Sequence, residues 1–302
     1  MANMQLQKIA PTTHPRAVPQ EIFYHIAWRS RRVQAGSHKT NMRGAGSDFA
    51  SFVPLLDYPD PRRLDVRASL KTIPKQLMVR TFFERSAIHV YVVNDLSASM
   101  WFSGKGNKPA LITEIAEAIA WSVVRQGDAF GMLSCQDDVL EKISVLPSCR
   151  QSLAQEVRQQ LAGFFSNAFE ANKTASAMPL AAKKIGVQKS LVFLISDFHW
   201  PDDLLKQTLQ AFCMHDVVPI VLWDEAEFEE LPEWGWAKVR ELESGIQRSL
   251  FMRPSLHQKV REYAQIRKHT LGQFCQQQGA RLPFFVNSHF DATALSRHLL
   301  GS

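Results

Sequence analysis

The sequence predicts an α/β fold, a doubly wound and mostly parallel sheet preceded by an N-terminal β-rich or irregular appendage. Three observations predict it. Short, continuous apolar runs recur at Ile88–Asn94, Ala129–Cys135, Ser190–Asp197 and Val217–Trp223. Stretches with the 3.6-residue period of helices separate them. The runs are apolar throughout, as strands covered on both faces of a parallel sheet must be.

The elements follow in order. Residues 1–20 are polar, contain three prolines and read as a loose lead-in. Glu21–Ala35 has apolar residues at Ile22, Phe23, Ile26 and Ala27, a spacing that predicts a short helix. Gly44-Ala45-Gly46-Ser47-Asp48-Phe49 reads as a tight turn, because no strand precedes it to make an anion cradle. The proline-punctuated stretch Leu56–Arg67 reads as a salt-bridged turn in which Arg62, Arg63 and Arg67 pair with Asp60 and Asp65. Met78–Glu84 alternates as a strand does.

After the strand at Ile88 a helix is expected over Lys108–Arg125, stopped by Gly127. The strand Ala129–Cys135, a turn at 137–143 and a helix over Gln151–Phe165 come next. A polar loop, Asn172-Lys173-Thr174, leads to a helix over Ala175–Ile185 and then to the second aspartate-ended strand. A helix over Asp202–Met214 and the strand Val217–Trp223 follow. Beyond an acidic stretch, Asp224–Glu230, Val239–Met252 reads as a hairpin around Glu243-Ser244-Gly245. A long basic helix over Pro254–Gln278, a strand over Leu282–Val286 and a helix over Asp291–Leu300 complete the chain. Two units are expected: a basic arm and small appendage over 1–84, and the main domain over 85–302 with a hairpin insertion near 238–252.

Composition narrows the function classes. Four cysteines, at 135, 149, 213 and 275, include no Cys-x-x-Cys pair, so zinc and redox chemistry have little support. Reduced, mostly buried thiols and a cytoplasmic location are expected. No secretory leader and no run long enough to span a membrane is visible. Residues 1–90 carry fourteen Lys/Arg against six Asp/Glu, a basic arm whose plainest reading is a solvated face and whose alternative is a nucleic-acid contact. Neither Gly-x-Ser-x-Gly nor Gly-x-x-x-x-Gly-Lys-Ser/Thr occurs, so a lipase-type nucleophile elbow is unsupported and the chain is not itself a P-loop ATPase.

The chemistry concentrates where strands end. The first buried strand runs into Asp95-Leu96-Ser97-Ala98-Ser99, one carboxylate and two hydroxyls at alternate positions. Ligands of parallel sheets lie outside the carboxyl ends of the strands. Asp197 ends a second strand there, and Thr174 lies on a loop able to reach the same edge. Two carboxylates and three hydroxyls are hard oxygen donors that suit Mg²⁺ (or Mn²⁺ or Ca²⁺) and leave a position for an outside ligand. His199 is close enough to line the site, whereas His89 falls within a strand and reads as a core residue.

Asp95-Leu96-Ser97-Ala98-Ser99-Met100, Thr174 and Asp197 resemble the metal-ion-dependent adhesion site of von Willebrand factor A domains, a Rossmann-like fold. That resemblance implies Ser97, Ser99 and Thr174 as direct ligands, with Asp95 and Asp197 acting largely through water. A narrower resemblance rests on Gly44–Phe49, Tyr58, Asp60–Asp65, Arg80, Glu84, Gly127-Asp128 and Gly131. It is to the bacterial domain of unknown function 58, which includes proteins similar to MxaS. That family typically accompanies a MoxR-type AAA+ ATPase in the maturation of client enzymes. Many members carry membrane helices before this region, and their Gly-Gly-Thr loop is here Asn172-Lys173-Thr174. The expectation is a metal-dependent protein-binding module that is not an enzyme. Its metal would take a carboxylate from a protein partner. The alternatives are a metal-dependent phosphate-ester hydrolase and nucleic-acid binding by the basic arm.

Overall fold

A computed structural model describes residues 19–26, 28, 35–44, 48–102, 104–167, 169, 172–224, 234–240 and 247–301. The lead-in to residue 18, the Gly-x-Gly turn at 45–47, most of the acidic stretch and the hairpin tip at 241–246 lie outside the described residues.

Three antiparallel strands form one sheet, β1 (Ala35–Gly44), β2 (Asp48–Pro54) and β3 (Met78–Ser86), with β3 in the middle. A strand, β1, does therefore precede the Gly-x-Gly stretch, contrary to the sequence expectation. A short helix, α1 (Val66–Lys71), starts at Asp65, whose carboxylate accepts the Ala68 N–H at 2.8 Å. Asp65 also pairs with Arg80 on β3 rather than with Arg67, and Arg63 pairs with Asp60 at 3.2 Å. The local salt-bridged turn is therefore also a clamp between α1 and the sheet.

A second sheet is mixed and has six strands. In spatial order they are β11 (Phe284–Val286), β8 (Asp216–Leu222), β7 (Leu191–Ser196), β4 (His89–Asp95), β5 (Ala129–Cys135) and β6 (Val145–Ser148). Only β6, at the edge, runs antiparallel to its neighbour. Strand side chains point alternately to opposite faces. Val90 and Val92 enter a cluster with α2 (Lys108–Arg125), α3 (Leu153–Ser166) and α7 (Ala292–Gly301). Tyr91 and Val93 enter another with α4 (Met178–Ile185), α5 (Asp202–Ala211) and α6 (Pro254–Gln277). Both faces are thus covered, which explains the unbroken apolar runs. Full burial of a side chain such as Phe193 contributes on the order of 1.5–3 kcal/mol.

Two glycines have identifiable work. Gly127 ends α2 in the left-handed region at φ 78°, as the sequence predicts. Gly131 on β5 faces Tyr91, and a Cβ there would meet the ring at 2.8 Å. The expected hairpin forms from β9 (Gly235–Arg240) and β10 (Gln247–Met252), starting a few residues before the predicted position.

Three further expectations are corrected. Residues 21–26 are extended rather than helical: Ile22, Tyr24 and Ile26 are buried while Phe23 is 53% exposed. Their backbone is held by side chains of the main sheet unit, with Ile22 N–H donating to Ser122 Oγ and Phe23 N–H to Ser296 Oγ. Two of the four free cysteines, Cys149 and Cys213, are exposed, because both sit just beyond regular elements. His89 is half-buried at the start of β4, its ring edge-on to Tyr91.

Candidate metal centre

The chain leaves β4 through α2 to β5 on one side, and later returns to place β7 on the other side of β4. In open parallel sheets, ligands bind at such a reversal, outside the carboxyl ends of the strands, here those of β4 and β7. Asp95 ends β4, and Asp197 follows the last residue of β7. The sheet topology therefore brings the two predicted carboxylates to one rim, both closed from solvent.

Asp95 is fixed by three donors. Its Oδ1 accepts the Ser97 N–H at 2.8 Å, and its Oδ2 accepts the Ser196 hydroxyl at 2.7 Å and the Trp200 indole N–H at 2.9 Å. Burial, and then the charge of Asp197, raise its pKa above the ordinary carboxylate value despite these bonds. The Ser97-Ala98-Ser99 turn enters a 3₁₀ helix over Ala98–Trp101, which sets the Ser97 and Ser99 hydroxyls 3.2 Å apart.

Asp197 has a different environment. Burial alone would raise its pKa. The Lys108 ammonium, 2.9 Å from Oδ2, and the nearby His199 reverse that effect and hold the carboxyl below its usual range. Lys108 is the first residue of α2 and is 1% exposed. The predicted set thus omits the cation that sits on one of its two carboxylates.

The Thr174 loop is docked on the rim, since Ala98 N–H donates to the Lys173 carbonyl at 2.9 Å. The Thr174 hydroxyl itself donates to Asp137 Oδ1 at 2.6 Å. Asn172 sits in the left-handed region, at φ 66°, a conformation asparagine tolerates well.

Beyond Asp197 the backbone is strained. Phe198 has φ 54°, costly for a bulky residue. Its N–H donates to Ser196 Oγ at 2.9 Å, and its ring packs 4.8 Å from that of Trp200. Arg267 of α6 donates to the Phe198 and Trp200 carbonyls and to Asp202. This clamp aims the Trp200 indole at Asp95. A second brace joins the loop before α2 to the end of β8, where buried Asp224 accepts the Gly106 N–H at 3.0 Å.

Sequence reading missed Lys108, Ser196, Trp200, Asp224 and Arg267. A lysine opening an otherwise apolar helix was the one visible signal among them. Trp200, Asp224 and Arg267 depend on chain crossings that spacing does not encode.

Among the described residues, no group of three or more His, Cys, Asp or Glu gathers as a metal cluster. Any ion here must draw on hydroxyls and water as well as the two carboxylates. No described helix is long and apolar enough to cross a membrane.

A family model described as "Protein of unknown function DUF58" matches residues 60–270. Among solved structures, a conserved hypothetical protein BatB from Bacteroides thetaiotaomicron is similar at TM-score 0.45 and 13% identity, over 71% of this chain and 98% of that one. An aerotolerance-related membrane protein from Bacteroides fragilis NCTC 9343, with multiple mutations to serines, is similar at TM-score 0.42 and 13% identity, over 72% of this chain and 100% of that one. No curated protein matches.

Proposed function

This chain belongs to the protein family of unknown function DUF58, and from that premise we propose that it is a metal-dependent protein-binding module of the von Willebrand factor A type. Its metal residues are Asp95, Ser97, Ser99, Thr174 and Asp197. Its role is that of an adaptor or co-chaperone for a MoxR-type AAA+ ATPase during maturation of client enzymes.

The observation that carries the metal reading is the 3.2 Å separation of the Ser97 and Ser99 hydroxyls. Adjacent ligands of an octahedral ion with bonds of 2.0–2.1 Å lie about 2.8–3.0 Å apart. The two hydroxyls, in hydrogen-bond contact with each other, stand a few tenths of an ångström beyond that spacing, beside two buried carboxylates. The donor set is all oxygen, as Mg²⁺ requires. The ion would supply a Lewis-acidic point for an oxygen ligand of another protein.

The chain's own residues prepare the rim for that role. Trp200 and Ser196 hold the Asp95 carboxylate in one orientation. Asp137 holds Thr174 at the edge and must release or share its hydroxyl for Thr174 to become a ligand. Trp101, immediately after the serine turn, packs within 5.1–5.8 Å of Phe164, Phe165 and Phe169, an aromatic group of the kind that anchors protein contacts.

The partner reading is tested by mixing the purified chain with a MoxR-type ATPase from the same organism. Association in Mg²⁺ that is lost in EDTA and in Ser97→Ala supports it. Association indifferent to both overturns the metal-dependent adaptor.

A further inference from the structure

Lys108 violates two local rules and is held rigidly. It places a cation at the first position of an eighteen-residue helix, against the positive end of the dipole. It is almost fully buried, which is costly for an ammonium without a partner. Its approach is rigid, since Asn107 Oδ1 accepts the Ala110 N–H, and a Cβ on Gly106 would meet the Asn287 carbonyl at 3.0 Å. Such violations of local preference concentrate at functional sites.

Its surroundings show what the charge is used for. The Lys108 ammonium lies 2.9 Å from Asp197 Oδ2, 3.5 Å from the Ser99 carbonyl and 5.6 Å from the Phe102 ring centroid. It therefore reaches the serine turn and the second carboxylate together.

We propose that Lys108 is a tethered cation that competes with the divalent ion for Asp197 and makes metal loading invert the sign of the rim. This rests on the metal reading above. With Asp95 and Asp197 as carboxylates and Lys108 as an ammonium, the metal-free rim carries one net negative charge. A dication turns that into one net positive charge. Without Lys108 the same step runs from two negative charges to none. The lysine thus weakens metal affinity, and in exchange the loaded centre attracts an anionic group that the metal-free centre repels.

Isothermal titration of the full chain with Mg²⁺ and Mn²⁺ tests this, comparing the parent with Lys108→Met, Lys108→Gln and Lys108→Arg. Folding is checked by circular dichroism and by thermal unfolding in EDTA. Lys108→Met should bind roughly tenfold tighter or more, the least expected when a unit positive charge beside a dication is removed. Its metal-free form should melt lower, and Mn²⁺ should raise its Tm more than it raises the parent's. Lys108→Gln, which keeps a donor to Asp197, covers the case in which Lys108→Met does not fold, and the same tightening is expected of it. Lys108→Arg should bind as the parent does. Metal binding by an uncharged variant but not by the parent also supports the proposal. Folded, uncharged variants with the parent's affinity or weaker overturn it and leave the metal reading standing. Absence of binding in the parent and all variants overturns both.

Discussion

The indole N–H of Trp200 donates to Asp95 Oδ2 at 2.9 Å, with both residues shut away from solvent. They are 105 positions apart in the chain and come together because β4 and β7 are neighbours. Trp200→Phe keeps most of the packing and removes the donor. A lost hydrogen bond to a buried charged group costs about 1.5–3 kcal/mol. The variant should lose that much in urea unfolding, and its divalent affinity should fall because Asp95 is no longer fixed. An unchanged affinity would show that the indole serves only the core.

The Thr174 loop makes a backbone prediction. Asn172 sits at φ 66°, where glycine is at ease and β-branched residues are not. Asn172→Gly should leave stability nearly unchanged. Asn172→Val should cost about 1–2 kcal/mol and weaken metal binding by displacing Lys173, whose carbonyl meets Ala98. Chemical denaturation of the two variants measures the difference.

Tyr24 donates its hydroxyl to Asp128 Oδ2 at 2.6 Å, while Asp128 Oδ1 takes the Ile88 N–H at the entry to β4. Tyr24→Phe removes a buried donor and should cost about 1–3 kcal/mol. Burial, and then the Asp128 charge, raise the phenol's pKa well above 10.0. The neutral phenol therefore adds stability that is complete below pH 10.0 and declines as pH rises through the raised value. Alkaline unfolding of the parent should be steeper than that of the variant.

Asp65 behaves in the opposite sense. The Ala68 N–H, and then Arg80, lower its pKa from 3.8. Its contribution is present above pH 3.8 and is lost as pH falls through the lowered value. Asp65→Asn retains a helix cap but not the charge, so it should flatten the acid limb of the stability curve. An acid limb identical to the parent's would show that the Arg80 pair contributes nothing.

The main sheet was legible because its strands are buried on both faces and so carry no competing polar signal. Val192, Phe193, Leu194 and Ile195 fit no other element so well. The helix over Lys108–Arg125 was legible to the residue, since its apolar face, proline and glycine stop agree. Residues 21–26 were misread because Ile22, Phe23 and Ile26 fit a helical spacing, whereas burial of Ile22, Tyr24 and Ile26 follows the period of two of an extended segment. The choice between those periods is made by Ser122, Asp128 and Ser296, far along the chain. The structure brings Asp95, Ser97, Ser99 and Asp197 to one rim and docks the Thr174 loop beside them, with the Thr174 hydroxyl turned to Asp137. Lys108 carried one signal, its place at the start of a largely apolar helix, but that place alone does not separate a buried ammonium from a solvated one.

The most direct measurement is isothermal titration of the purified chain with Mg²⁺ and Mn²⁺, set against Asp95→Ala and the double variant Ser97→Ala/Ser99→Ala. The account predicts one saturable site per chain in the parent and its loss in both variants, each folded by circular dichroism. A site of unchanged affinity in folded Asp95→Ala, or the absence of any site from the parent and the uncharged Lys108 variants alike, would contradict it.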